Sequence, residues 1–326
     1  MKHTARITII LLALFFLSQL LGLFLVTYDA NQQVTVDEDN VTRINVTYSD
    51  TAMGERPEFQ RETGPLWYLV IGIAIGTGIL LLLMKLRSGR RLWKAWYFLA
   101  VVIAISIALG VFLNDKLAML IAILLAFIKI NRYTPIIHNV TEVFMYAGIS
   151  FLLIPLFNTI WVSLALLAII SIYDMYAVWK SKHMVKLAKF TTESKLFAGL
   201  AIPYGKTTTQ GKKPLTRGRR ASKSQATTSK RTAEKTTAQA KQAILGGGDI
   251  VFPLLFAGTV LQMLLDQGIT KYSAMLYTSI IPVTTTIALA LLFFKGKKDR
   301  FYPAMPFVTL GCLAGYGLVQ LLFLFV

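Results

Sequence analysis

Residues 244–265 read Ile-Leu-Gly-Gly-Gly-Asp-Ile-Val-Phe-Pro-Leu-Leu-Phe-Ala-Gly-Thr-Val-Leu-Gln-Met-Leu-Leu. Apart from Asp249 the run carries no charge, and it is long enough to cross a bilayer as a helix. A carboxylate at the mouth of such a run is costly and needs a reason. The rest of the chain repeats the apolar pattern. Of 326 residues, 55% are hydrophobic and only 15% charged, and mean hydropathy is +0.59. A soluble domain of this length would be less apolar and more charged. The apolar residues also fall in long blocks, so the expected fold class is all-α, a polytopic membrane protein.

Outward from residues 244–265 the blocks resolve into nine expected transmembrane helices. Span one is Ile7 to Thr27, with an apolar stretch too long for the core of a signal peptide, so it reads as an uncleaved span. Residues 28–65 form a polar loop with eight acidic residues, in which Val34 to Val36 and Val41 to Tyr48 alternate as a short hairpin does. That loop also holds the sequons Asn40-Val41-Thr42 and Asn45-Val46-Thr47. Spans two to four are Leu66 to Leu86, Ala95 to Leu113 and Leu117 to Ile130. The 37-residue block 143–179 is too long for one helix. It divides at Asn158-Thr159 into span five, Val143 to Phe157, and span six, Ile160 to Trp179. Residues 244–265 are span seven, Ala274 to Phe294 span eight, and Pro303 to Val326 span nine.

The organisation is then 1–179 with spans one to six, a loop at 180–243, and 244–326 with spans seven to nine. The loop carries 16 Lys and Arg, and from Lys206 to Lys241 it has almost no apolar content, which reads as disordered. Its first part, Lys189 to Tyr204, has enough apolar residues for a short interfacial helix. The basic stretch also suits an anionic lipid surface. The net charge of +18 follows from loop asymmetry, and no nucleic-acid partner is expected. With the N-terminus cytoplasmic, 29 of the 34 Lys and Arg lie on the cytoplasmic side, so the expected orientation is N-terminus in, C-terminus outside.

Ten of the 16 acidic residues then fall outside, and Glu142, Glu193, Glu234 and Asp299 fall in cytoplasmic loops. Two acids remain within spans, Asp174 and Asp249. Asp174 lies roughly 9 Å of helix from the cytoplasmic end of span six, and Asp249 roughly 7 Å into span seven. Consecutive spans are antiparallel, so both carboxylates reach similar depth at one face, and no span-interior Lys or Arg is placed to neutralise either. Two facing carboxylates cannot both ionise cheaply and share a proton. One takes a proton from water and the other protonates a carbonyl, which hydrolyses a peptide without metal or cofactor. Alone, an aspartate near a span end also serves as a cap. The pairing is what points to chemistry.

Gly246, Gly247 and Gly248 leave room beside Asp249 for another backbone. Pro303 and Pro306 remove two donors, so residues 300–305 read as an extended edge on which an unwound substrate can pair. Cys312 and the three histidines are too few and scattered for a metal site. A transporter with an acidic relay would need inverted repeats or further acids along a path, and neither is found.

These residues resemble the presenilin-type, Gly-x-Gly-Asp intramembrane aspartyl proteases, closest in size to the archaeal homologues. Tyr173-Asp174 matches the family's Tyr-Asp, Gly246 to Asp249 its Gly-x-Gly-Asp, and Pro303-Ala304-Met305-Pro306 its Pro-Ala-Leu-Pro, with Met305 for leucine. Prepilin peptidases share the glycine motif but usually carry a lysine two residues after the aspartate, where this chain has Val251. The resemblance implies catalysis by Asp174 and Asp249, a site organised by Tyr173, Gly246, Gly247, Gly248, Pro303, Ala304, Met305 and Pro306, and a transmembrane peptide substrate. It also implies a multi-pass protein of the cell membrane that acts among lipid without accessory subunits. Presenilins are cut in the loop between spans six and seven, and residues after Lys206 offer an accessible counterpart.

Overall fold

A computed structural model of the chain describes residues 5–36, 42–55, 63–85, 89–132, 134–157, 159–181, 197–204, 241–296 and 302–324. The expected disordered stretch, Lys206 to Lys241, lies outside the described residues but for its last residue, and so do Arg300 and the first part of the expected interfacial helix.

The helices are α1 (Ala5–Asp29), α2 (Gly64–Lys85), α3 (Gly89–Gly110), α4 (Asp115–Asn131), α5 (Pro135–Leu153), α6 (Ile160–Tyr176), α7 (Gly248–Asp266), α8 (Lys271–Thr278), α9 (Ile280–Lys295) and α10 (Met305–Leu324). Eight segments among the described residues are long and apolar enough to cross a membrane, α8 and α9 counting as one. The 17-residue α4 is shorter than these. The chain is a polytopic helical membrane protein.

Depth within the bundle differs sharply between helices. In α7, 72% of the apolar window is buried, against 6% in α2. α7 is therefore the central helix, and α2 is a peripheral one. Close approach is made possible by missing side chains. A Cβ on Gly148 of α5 would collide with the Ala104 carbonyl of α3, so those helices pack backbone to backbone there.

The hairpin expected after span one is present as β1 (Asn31–Val36) paired antiparallel with β2 (Thr42–Thr47). Gln32 donates from Nε2 to the carbonyls of Leu265 at 2.9 Å and Ile269 at 3.0 Å, and Tyr48 bonds Gln262. The hairpin thereby caps the C-terminal end of α7, whose last carbonyls lack helical partners.

Three expectations are corrected. Leu200 and Ile202 do not lie in an interfacial helix. Gly199–Tyr204 is a strand, β3, paired antiparallel with β4, Lys241–Gly246. The physical reason is the distant partner: Leu200 and Leu245 are directly opposite and both are buried, which local apolar content cannot reveal. Span seven accordingly starts later than residue 244, because Ile244 to Gly246 belong to β4. Glu142 is no loop residue either. Pro135 occupies the first turn of α5, a position it favours, and that start carries Glu142 two turns into the helix. Glu142 is fully buried, so a third acid lies within the bundle.

Candidate active site

The site is assembled at one end of the bundle, where α6 finishes, α7 begins and α10 begins. Asp174 is two residues from the last residue of α6 and is buried. The helix then passes into a single π turn, Ala177–Ser181. Asp249 is the second residue of α7 and is half-buried. It is thus at the helix start rather than a full turn inside the span. The two carboxylates are close enough to interact electrostatically.

Each carboxylate is met by backbone N–H groups. Met305 donates its amide to Oδ2 of Asp174 at 3.1 Å, and the Ala304 amide bonds the same carboxylate. In the stretch Pro303 to Pro306 the prolines have no N–H. The loop therefore owns two donors, and both go to Asp174. Met305 is the first residue of α10, where N–H groups lack helical acceptors and favour an anion. Its side chain is buried, as a leucine there would be. Asp249 has a backbone hydrogen bond from Gly246. Pro253, four residues on, cannot donate to the Asp249 carbonyl, which is left out of the helical ladder.

The glycines have specific neighbours. Gly247 has ordinary helical dihedrals, φ −63° and ψ −32°, so its need is for space. A Cβ there would lie 2.9 Å from the hydroxyl of Tyr146 on α5, and one on Gly246 would lie 3.3 Å from Oδ2 of Asp249. A Cβ on Gly248 would meet only Phe252 of its own helix. Gly247 thus admits the chain's own tyrosine rather than open space, and Gly246 lets the strand end against the carboxylate. Tyr173, beside Asp174, is partly exposed.

Two further groups at the site escape a reading of sequence alone. Gln19 on α1 donates from Nε2 to the Ile250 carbonyl at 2.7 Å, bracing the first turn of α7. The other is a polar cluster around Glu142. Its Oε1 accepts from Lys129 Nζ at 2.6 Å and from Tyr97 at 2.9 Å, and its Oε2 from the Gly199 amide at 3.0 Å and from Tyr146. The signal in sequence was Pro135 as a helix start, which places Glu142 inside α5. Among the described residues no three His, Cys, Asp or Glu side chains are grouped as metal ligands would be.

The family model described as signal-peptide peptidase, presenilin aspartyl protease matches residues 12–326. Among solved structures, a presenilin family intramembrane aspartate protease in a P2 crystal form has a TM-score of 0.54 at 14% identity, covering 96% of each chain. A presenilin family intramembrane aspartate protease in a C222 form has a TM-score of 0.52 at 14% identity, over 94% of this chain and 93% of that one. At this identity the likeness is one of fold. No curated protein sequence matches the chain.

Proposed function

The chain belongs to the signal-peptide peptidase and presenilin family of aspartyl proteases, and on that premise we propose that Asp174 and Asp249 form the catalytic pair of this membrane-embedded endopeptidase. The observation that carries the reading is their convergence at one end of α6 and α7, with Asp174 held by the only two amides of Pro303 to Pro306. One carboxylate removes a proton from water as its oxygen bonds to the scissile carbonyl carbon. The other gives its proton to the carbonyl oxygen, and a gem-diol forms. Collapse breaks the C–N bond as the amine nitrogen takes up a proton and a gem-diol hydroxyl returns one to the pair. Tyr173 and the glycines shape the space around the pair.

The substrate is a single transmembrane segment. A helix keeps its own amides paired, so the segment unwinds before water can reach them. An open strand edge then gives it new partners. The paired rungs of β3 and β4 turn the backbone groups of Gln242 and Ile244 away from β3, and the Gly246 amide next along that edge bonds Asp249. That edge runs into Asp249 and supports strand addition there. The protein crosses the cell membrane nine times, with α4 as the short crossing and α8–α9 as one. The N-terminus lies in the cytoplasm and the C-terminus outside, as the charge asymmetry favours. The connection between β3 and β4 lies on the cytoplasmic side, and no accessory subunit is needed.

Asp174→Asn and Asp249→Asn should each abolish cleavage of a reporter transmembrane substrate while leaving the folded yield intact. They should also abolish labelling by a hydroxyl-bearing transition-state analogue. Near-normal cleavage by either variant would end the assignment.

A further inference from the structure

β3 has two edges. One pairs with β4, and the other is occupied by side chains of α5. In an antiparallel pair, alternate residues turn their backbone groups toward the partner. The register, together with the bond from the Gly247 amide to the Ala198 carbonyl at 3.2 Å, assigns Leu200 and Ile202 to β4. Gly199 and Ala201 therefore face α5. There Asn139 does what a neighbouring strand would do. Its Nδ2 donates to the Ala201 carbonyl at 3.0 Å, and its Oδ1 accepts from the Ala201 amide at 2.9 Å. At Gly199, Glu142 accepts from the amide at 3.0 Å, and His138 Nε2 meets the carbonyl at 2.9 Å. The next residue facing this edge is Pro203, which has no amide to satisfy.

The edge is itself fixed. Glu142 is bound by Lys129, Tyr97 and Tyr146. Lys129 also donates to Thr141 at 3.0 Å and sits 5.8 Å from the centre of the Tyr97 ring. Side-chain exposure of Lys129 and Glu142 is 2% and 0%. A buried ion pair gains little stability over a well-packed apolar pair. What it supplies is direction, a carboxylate whose every lone pair is committed.

We propose that Asn139, Glu142 and Lys129 are positioning residues: they make a preformed strand edge on α5 that locks the β3–β4 hairpin, and so set the register in which substrate on the free edge of β4 meets Asp249. The inference rests on the reading of Asp249 as catalytic. A slip by one residue would turn every side chain to the wrong face. The permitted slip is therefore two residues, about 7 Å along a strand, and its signature is a cut displaced by two residues.

The test uses the full chain in lipid or detergent. Asn139→Leu keeps the bulk and removes both bonds to Ala201. Lys129→Met/Glu142→Gln removes both charges together. Each should speed amide hydrogen exchange across 199–204 and 241–246 by at least about tenfold, the equivalent of one lost hydrogen bond, and Asn139→Leu, which loses two, by more. Exchange in α6 and α7 should not change. On a reporter substrate, kcat should fall by about tenfold with KM little altered, and products two residues apart should appear. Asn139→Asp, which keeps one of the two bonds, should fall between. Unchanged hairpin exchange would overturn the proposal, and so would faster exchange with a single unmoved cut and unchanged kcat. If the variants lose α6 and α7 protection together with the hairpin, the cluster is a folding element only, and the proposal equally fails. A parent chain that cuts nothing would refute the aspartate reading instead, and the exchange data would still judge the clamp.

Discussion

Lys129 and Glu142 give the sharpest stability experiment in the molecule. Removing either partner leaves a charge where neither water nor lipid headgroup can reach it, and such losses run about 3–5 kcal/mol. The surroundings decide where each variant falls. Lys129→Met leaves Glu142 with three donors, the hydroxyls of Tyr97 and Tyr146 and the amide of Gly199. Its cost should lie near the low end, about 3 kcal/mol. Glu142→Leu leaves the ammonium with only the Thr141 hydroxyl and the Tyr97 ring. It also strips the Gly199 amide of its acceptor, so its cost should lie near about 5 kcal/mol. The double variant Lys129→Met/Glu142→Gln buries no charge, and its Gln oxygen still accepts one bond. It should cost about 1 kcal/mol. Glu142→Gln, which leaves the ammonium without its counter-charge, should cost about 3 kcal/mol, so the closed cycle yields a coupling energy of about 5 kcal/mol, a factor of several thousand in the folding equilibrium. Reversible unfolding in mixed micelles, followed by tryptophan fluorescence, measures all four corners. Additive effects, or single variants each under about 1 kcal/mol, would show that the pair is effectively solvated and refute the burial argument.

Gly247→Ala places a methyl 2.9 Å from the Tyr146 hydroxyl. Overpacking of that kind costs about 1–3 kcal/mol and displaces the residue two before Asp249. Cleavage per folded molecule should fall at least about tenfold, with partial recovery in Gly247→Ala/Tyr146→Phe. Gly148→Ala forces α3 and α5 apart, because the obstacle is the Ala104 carbonyl rather than a flexible side chain. Its unfolding free energy should drop by about 3 kcal/mol, measured by denaturation in micelles. Thr259→Val breaks the 2.6 Å bond to Ser163 that joins the two aspartate-bearing helices. Such bonds within bilayers average about 0.6 kcal/mol, so stability should fall by that order and turnover should hardly change.

Helices and chemistry were legible to different degrees, for physical reasons. Apolar blocks announce spans because a bilayer demands about 20 apolar residues in a row. Asp174 and Asp249 stood out because a carboxylate in such a block is expensive. Pro303 and Pro306 could be read as withholding donors, though not that the two remaining donors would go to Asp174. The β3–β4 hairpin was invisible, since its strands are separated by residues 205–240 and neither is stable without its partner. Glu142 was misplaced by a boundary error of eight residues: apolar content begins at Val143, but the helix begins at Pro135. Helix ends are set by caps and turns, and a charge inside a helix is hidden from hydropathy when its partner, here Lys129, lies on another helix.

The boundary error and the unseen hairpin have one cause. A protease that cuts inside a membrane must keep extended backbone at a depth where lipid offers no hydrogen bonds. Every exposed amide and carbonyl of such a segment then needs a partner from the protein itself. At this end of the bundle those partners are polar side chains on helices. Asn139, His138 and Glu142 serve β3, Gln19 serves the first turn of α7, and Asp174 takes the Met305 amide. The polar start of α5 looks like a loop in hydropathy because it is built to satisfy a strand. Once such a strand is required next to Asp249, a nearby helix must carry a polar face several residues deep, and that face needs a counter-charge such as Lys129. The deviations from a plain apolar span are therefore concentrated where the peptide backbone has to be held open.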